Sequence, residues 1–109
     1  MNKTENKSGT KFIETHSLTD FSASEALHTP LLETDKLRTL LLNLNGGQKS
    51  PLCKMPVDVL YYVIEGEGEL IVEDEQYALR AGSMVIVLAE TKRLISADIS
   101  MRVLGVQVM

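Results

Sequence analysis

The sequence predicts a single all-β domain. Apolar runs in the second half of the chain are short, with the length of strands rather than of helices. Several runs alternate apolar and polar residues, which is the period-two pattern of a strand with one face on a core. Glycine and acidic residues follow the runs and predict turns. At 109 residues the chain is long enough for one hydrophobic core but not for two.

Four consecutive strands are predicted in the second half of the chain. They comprise residues 59–64 (VLYYVI), 68–73 (GELIVE), 77–81 (YALRA) and 84–88 (MVIVL). The first is an aliphatic and tyrosine run, as expected of a strand covered on both faces, and it ends at the turn Gly66-x-Gly68. The next two alternate on either side of an acidic turn, and Gly82 separates the last pair.

The remaining strands are predicted on both sides of this central part. They comprise residues 11–18 (KFIETHSL), 27–33 (LHTPLLE), 37–44 (LRTLLLNL), 93–96 and 100–108. Pro30 cannot donate a ladder hydrogen bond, so residues 27–33 are expected at a sheet edge. The leucines of residues 37–44 favour a helix. A strand is preferred because the run is eight residues long and ends at Gly46-Gly47. The polar residues 1–10 predict a disordered tail, which leaves residues 11–109 as the domain.

Composition and charge exclude several classes of partner. The net charge is −4 and the basic residues are spread along the chain, so nucleic acid is not expected to bind. No apolar run approaches the eighteen or so residues that span a bilayer, so no membrane association is expected. The polar start lacks the apolar stretch of a secretory signal, which predicts a cytoplasmic protein. The single cysteine, Cys53, cannot form an internal disulfide.

Residues 62–87, YVIEGEGELIVEDEQYALRAGSMVIV, resemble the central portion of a small single-domain cupin. The resemblance lies in the Gly-x-Gly turn after an aromatic strand and in the Ala-Gly pair that opens a later strand. It implies an RmlC-like double-stranded β-helix, a jelly-roll barrel with a pocket at one end.

The same resemblance implies where a metal site would lie. Metal-binding cupins hold a divalent metal with two histidines, a glutamate and a later third histidine. By the family's spacing, these places fall on Cys53, Met55, Val59 and Arg93 in this sequence. Valine and methionine are not ligands for such metals, and arginine repels a cation, so no metal and no cofactor is expected. Cys53 and Met55 could instead hold soft Cu(I) or simply fill the core.

The same positions predict a ligand pocket. Tyr61 shares the strand face of Val59, so Cys53, Met55, Val59 and Tyr61 are expected to line an apolar cavity with Arg93 at its mouth. A guanidinium there could bind a carboxylate or phosphate through two hydrogen bonds. Alternatively, Arg93 extends into solvent or pairs with Glu90.

These observations predict a non-catalytic binding or sensory protein, with no catalytic residues, whose small organic ligand is expected to be an anion. The alternative is a cupin enzyme, such as an isomerase or dioxygenase, with an atypical metal or thiol site that involves Cys53. The histidines His16 and His28 lie far upstream and are expected to be exposed. A homodimer is expected, paired through residues 11–33.

Overall fold

The structure, a computed structural model, describes residues 9–109. Within this range nine strands form two antiparallel sheets. The strands are β1 (Leu27–Glu33), β2 (Leu37–Leu44), β3 (Cys53–Lys54), β4 (Asp58–Glu65), β5 (Glu67–Val72), β6 (Glu75–Arg80), β7 (Met84–Val87), β8 (Lys92–Ala97) and β9 (Met101–Val108). The large sheet has the order β1-β2-β9-β4-β7, and the small sheet has the order β3-β8-β5-β6. The all-β prediction is therefore confirmed.

The hydrophobic core lies between the two sheets. Its buried side chains are Leu42, Leu44, Val63, Leu70, Leu79, Val87, Ile95, Ala97, Met101 and Val103. They come from both sheets and from alternate positions of their strands, as the period-two pattern requires. The chain passes from one sheet to the other between β2 and β3, β3 and β4, β4 and β5, β6 and β7, β7 and β8, and β8 and β9.

The Gly-x-Gly turn is required by close backbone packing. Gly66 has a φ of 95°, which side-chain-bearing residues rarely adopt. A Cβ atom at Gly66 would overlap the Ser100 carbonyl and Met101, and one at Gly68 would overlap the Ser96 carbonyl. The two glycines therefore allow the β4–β5 crossing to lie directly against the β8–β9 connection.

The leucine-rich run is a strand, with the predicted bounds Leu37–Leu44. It pairs with β1 on one side and with β9 on the other. The neighbouring residues Leu41 and Leu42 point to opposite faces, yet both are buried. Packing on both faces of the sheet therefore outweighs the helical preference of leucine. The prediction that residues 27–33 form an edge strand is also confirmed, with an irregularity in the register after Pro30.

The strand predicted for residues 11–18 is wrong, because this segment contains the 3-10 helix Thr15–Ser17 instead. Its backbone carbonyls are bound by side chains of the large sheet rather than by a neighbouring strand. Arg102 donates to the Thr15 carbonyl, and Asn43 donates to those of Leu18 and Asp20.

The predicted disordered tail, residues 1–10, lies outside the described residues except for its last two positions. The short strand β3 was not predicted. Within residues 9–109, no helix has the length and apolar character needed to cross a bilayer.

Candidate functional site

A cavity of about 140 Å³ lies between the sheets on the side of β1 and β3. Its lining residues are His28, Leu40, Leu42, Ser50, Pro51, Cys53, Val59, Tyr61, Arg93, Ile95, Gly105 and Gln107. His28, Pro51 and Cys53 are exposed, whereas Val59 and Arg93 are buried. The cavity therefore has a mouth at the edge of the sandwich and a floor on the hydrophobic core.

Four of the five predicted site residues line this cavity. Cys53 and Arg93 are directly paired on β3 and β8, and Val59 and Tyr61 lie two residues apart on β4. Met55 is not among the lining side chains. It follows the end of β3, where its carbonyl accepts a hydrogen bond from the Glu90 amide at 2.7 Å, and it is half-buried.

Arg93 lies at the floor of the cavity. The sequence predicts it at the mouth instead. Only 1% of the residue is exposed. The reason is its phase on β8, where it alternates with solvent-facing Lys92 and shares the inward face of Ile95. Among the described residues Arg93 also forms no ion pair with Glu90. Glu90 pairs instead with Lys54, whose Nζ lies 3.8 Å from Glu90 Oε1.

The Arg93 guanidinium has few partners. Its Nη1 donates to the Tyr61 hydroxyl at a long distance of 3.5 Å. Its Nε and Nη2 are buried without a hydrogen-bond partner among residues 9–109, and no carboxylate in that range forms an ion pair with it. A buried charge without a counter-ion costs several kcal/mol.

Arg102 provides an internal comparison, because it too is only 1% exposed. Its Nε donates to Glu65 Oε2 at 2.9 Å, and its Nη1 donates to the Thr15 carbonyl at 2.6 Å. Within residues 9–109 the fold thus supplies a carboxylate to Arg102 and none to Arg93, the arginine in the cavity.

Tyr61 is the polar neighbour of Arg93. Burial raises the pKa of the Tyr61 hydroxyl above its ordinary value of 10.0, although the positive charge of Arg93 opposes this effect. The hydroxyl is therefore protonated at neutral pH. Its oxygen accepts the hydrogen bond from Arg93, which leaves its own hydrogen available to a ligand.

Three polar lining residues were not among the predicted site residues: Ser50, Gln107 and His28. Gln107 lies beside Val59 on β9, and its Oε1 is buried without a hydrogen-bond partner among the described residues. Its place on the inward face follows from its register, since it stands two and four residues from buried Gly105 and Val103 on β9. His28 is exposed, as expected, but it lies at the cavity mouth with Cys53, and its distance in sequence gave no sign of this.

No family model and no curated protein sequence matches this chain. Solved structures do resemble it. A cupin superfamily protein from Desulfitobacterium hafniense DCB-2 superposes with a TM-score of 0.82 at 17% identity, over 100% of this chain and 98% of that one. An RmlC-like cupin from Desulfovibrio desulfuricans gives a TM-score of 0.78 at 19% identity, over 83% and 88% of the two chains. This protein has the cupin fold.

The cupin fold also occurs in larger enzymes that resemble this chain. Salicylate 1,2-dioxygenase from Pseudoaminobacter salicylatoxidans, solved with gentisate, superposes with a TM-score of 0.74 at 15% identity. The match covers 86% of this chain but 28% of the dioxygenase. At such identities the likeness establishes the shared fold and no activity.

The side chains of the cavity do not fit a divalent metal of the kind that cupins hold. Within residues 9–109, no three His, Cys, Asp or Glu side chains come together as a metal site. Val59 has no donor atom, and the Arg93 guanidinium adds a positive charge to the cavity. That Cys53, Met55, Val59 and Arg93 stand in the places of metal ligands remains an interpretation of the sequence resemblance.

A wider depression of about 370 Å³ lies on the other side of the sandwich, near β6 and β7. Its lining residues are Leu70, Val72, Tyr77, Val85, Ile86, Val87, Leu88 and Thr91. None of these carries a charge, and none has a buried polar atom without a partner. The smaller cavity, with Arg93 at its floor, is therefore the candidate functional site.

Proposed function

We propose that this cupin-fold protein is a non-catalytic binding or sensory protein and that its cavity takes a small organic anion. The supporting observation is the buried guanidinium of Arg93, whose Nε and Nη2 have no partner among the described residues. These two nitrogens form the planar fork that binds two oxygens of a carboxylate or phosphate. A bound anion would supply the counter-ion that residues 9–109 do not.

The rest of the cavity defines the body of this ligand. Leu40, Leu42, Val59 and Ile95 make much of the lining apolar. The volume of about 140 Å³ is well below the roughly 300 Å³ at which pockets for drug-sized ligands begin. The ligand is therefore a short molecule with one anionic end and a small apolar part.

The lining favours binding over catalysis. Among residues 9–109 the lining contains no Asp or Glu, and its histidine, His28, lies at the exposed mouth rather than at the floor with Arg93. Binding by Arg93 would still have a consequence for the protein, because a ligand that binds only the folded state stabilises it by an amount that grows with the logarithm of the ligand concentration above Kd. A sensory role could use that stabilisation.

The test is a titration of short carboxylates and inorganic phosphate into the wild type, Arg93→Ala and Arg93→Lys, followed by thermal shift and calorimetry. Arg93→Ala should weaken binding by about ten- to a hundredfold, because a charge-assisted two-point contact is lost. Arg93→Lys should recover part of the affinity, since an ammonium lacks the planar fork. The control is Arg38→Ala, which removes a surface arginine paired with Glu33. Equal affinities in all four proteins would remove Arg93 from the site.

A second candidate function is an enzyme with a thiol site. It is favoured by one observation, that Cys53 and His28 both line the mouth of the cavity. Nucleophilic cysteines generally need such a neighbouring base. If this pair operates, alkylation of Cys53 by iodoacetamide should be slower in His28→Asn than in the wild type. The same rate in both proteins at every pH would eliminate this candidate.

A further inference from the structure

Two unpartnered polar groups of opposite character line the same cavity. Arg93 presents hydrogen-bond donors, and the buried Oε1 of Gln107 presents an acceptor. A buried amide oxygen that bonds to nothing is destabilising, as is an unpaired guanidinium. A simple carboxylate would satisfy Arg93 but would leave Gln107 Oε1 without a donor.

We infer that the ligand is a short hydroxycarboxylate, with its carboxylate on Arg93 and its hydroxyl donating to Gln107 Oε1. This inference rests on the proposed function, because it names the class of anion that the same cavity binds. Tyr61 adds a third contact, since its hydroxyl hydrogen can be donated to the carboxylate while its oxygen accepts from Arg93.

A hydroxyl suits this cavity better than an ammonium group does. An ammonium has three donors and a positive charge, whereas the lining has no carboxylate and already contains the Arg93 cation. The other hydroxyl oxygens of the lining already accept hydrogen bonds, Ser50 Oγ from the Ile95 amide and the Tyr61 oxygen from Arg93, and His28 lies at the exposed mouth. A hydroxyl needs one acceptor, and Gln107 provides one.

Carboxylate is favoured over phosphate by the number of donors. A phosphate dianion carries three terminal oxygens, and a single guanidinium with one tyrosine hydroxyl leaves part of that charge unpaired. The volume of about 140 Å³ is close to that of an engineered cavity that holds benzene, so the ligand has about five to eight non-hydrogen atoms.

The experiment compares lactate with isobutyrate, in which a methyl group replaces the hydroxyl at nearly the same size. Both acids are titrated by calorimetry into the wild type, Gln107→Leu and Arg93→Met, and the folding of each variant is checked by thermal denaturation. The wild type should bind lactate about tenfold more tightly than isobutyrate. Gln107→Leu should bind both acids equally, and Arg93→Met should lose most of its affinity for both.

The outcomes separate the two proposals. Equal affinity of the wild type for lactate and isobutyrate would overturn the hydroxycarboxylate inference and leave the anion site standing. A lactate preference that persists in a folded Gln107→Leu variant would overturn the assignment of Gln107. If neither lactate nor isobutyrate binds while other small carboxylates do, the hydroxycarboxylate inference is overturned and the proposed function stands. Absence of binding by any small anion would overturn the proposed function with it.

Discussion

The two buried arginines differ in what their charge does for the protein. In the part of the chain that the structure describes, Arg102 is paired with Glu65 and with the Thr15 carbonyl, whereas Arg93 has a single long hydrogen bond to Tyr61. An unpaired buried charge opposes folding, so its retention in a cavity is typical of a binding site rather than of a structural residue.

Replacing each arginine with methionine should therefore have opposite effects on stability. Arg93→Met removes a buried charge while filling similar space, so the free energy of unfolding without ligand should stay equal or rise. Arg102→Met should lower it by about 1–2 kcal/mol, because the bonds to Glu65 and Thr15 are lost. Glu65 is more than half exposed and regains water, which limits the loss. Urea denaturation measures both values, and a larger loss for Arg93→Met than for Arg102→Met would contradict this account.

The metal content of the purified protein should be far below one equivalent per chain. Cys53, Met55, Val59 and Arg93 cannot form the histidine and carboxylate site that the cupin resemblance would otherwise imply. Elemental analysis checks zinc, iron, manganese and nickel in the protein as purified. About one equivalent of any of them, removable by a chelator, would show that another set of ligands exists. Copper(I) is measured separately under reducing conditions, because Cys53 could bind it.

At the scale of elements, residues 15–22 are held in place by hydrogen bonds from side chains to their backbone carbonyls, and not by strand pairing. Arg102 and Asn43 bind the carbonyls of Thr15, Leu18 and Asp20, and Gln48 donates to the carbonyl of Ser22. The Arg102 contact depends in turn on Glu65, which holds the guanidinium from the other side.

This attachment should weaken in acid. The hydrogen bond from Arg102 lowers the pKa of Glu65 below its ordinary 4.5, and the charges of Arg102 and His16 act in the same direction. The folded protein therefore takes up this proton at lower pH than the unfolded chain. The stabilisation is complete above pH 4.5 and is lost as the pH falls through the folded pKa.

Hydrogen exchange of the Ser17 and Leu18 amides, which close the 3-10 helix, should accelerate relative to the core as the pH falls through this range. Glu65→Gln mimics the protonated carboxyl and should show weak protection already at pH 6. Protection in the variant equal to that of the wild type at pH 6 would show that Glu65 does not hold the segment.

Strands could be predicted where the pattern of apolar residues shows which side chains face the core and which face solvent. The bounds of β2 were predicted correctly. A run of eight residues that ends at a Gly-Gly turn has the length of a strand, despite the helical propensity of its leucines. The strand prediction for residues 11–18 was wrong because this segment is bound by Arg102 and Asn43. Both side chains are distant in sequence, so nothing within the segment indicates these contacts. The family's spacing led to four of the residues that line the candidate cavity, whereas the burial of Arg93 depends on the inward face that it shares with Ile95 on β8.

For the molecule as a whole, the outer face of the large sheet carries an exposed apolar patch. The inner face of this sheet carries the core, and the outer face exposes side chains of three adjacent strands. They are Tyr62 on β4, Met84 and Ile86 on β7, and Val108 on β9, each 41–59% exposed. Tyr62 pairs with Met84, so these side chains lie on the same side of the sheet. An apolar patch of this kind is typical of an interaction surface.

We expect this face to form the interface of a homodimer. Residues 11–33 were the first expectation, but their first half is bound to the chain's own large sheet through Asn43 and Arg102. A two-fold axis through the outer face would place the same apolar strands of two copies together, and an interface of about 800 Å² per partner suffices for stable association. Light scattering at micromolar concentration should give twice the 12.1 kDa of one chain.

Ile86→Lys should convert the dimer to a monomer, because it places a charge within the apolar face. The matched control is Leu52→Lys, since Leu52 is 63% exposed but precedes β3 of the small sheet. This control should remain dimeric, and both variants should keep the affinity of the wild type for small anions, because neither residue lines the Arg93 cavity. A monomeric wild type would refute the dimer. Dissociation by Leu52→Lys but not by Ile86→Lys would move the interface to the edge of the small sheet, beside the cavity mouth.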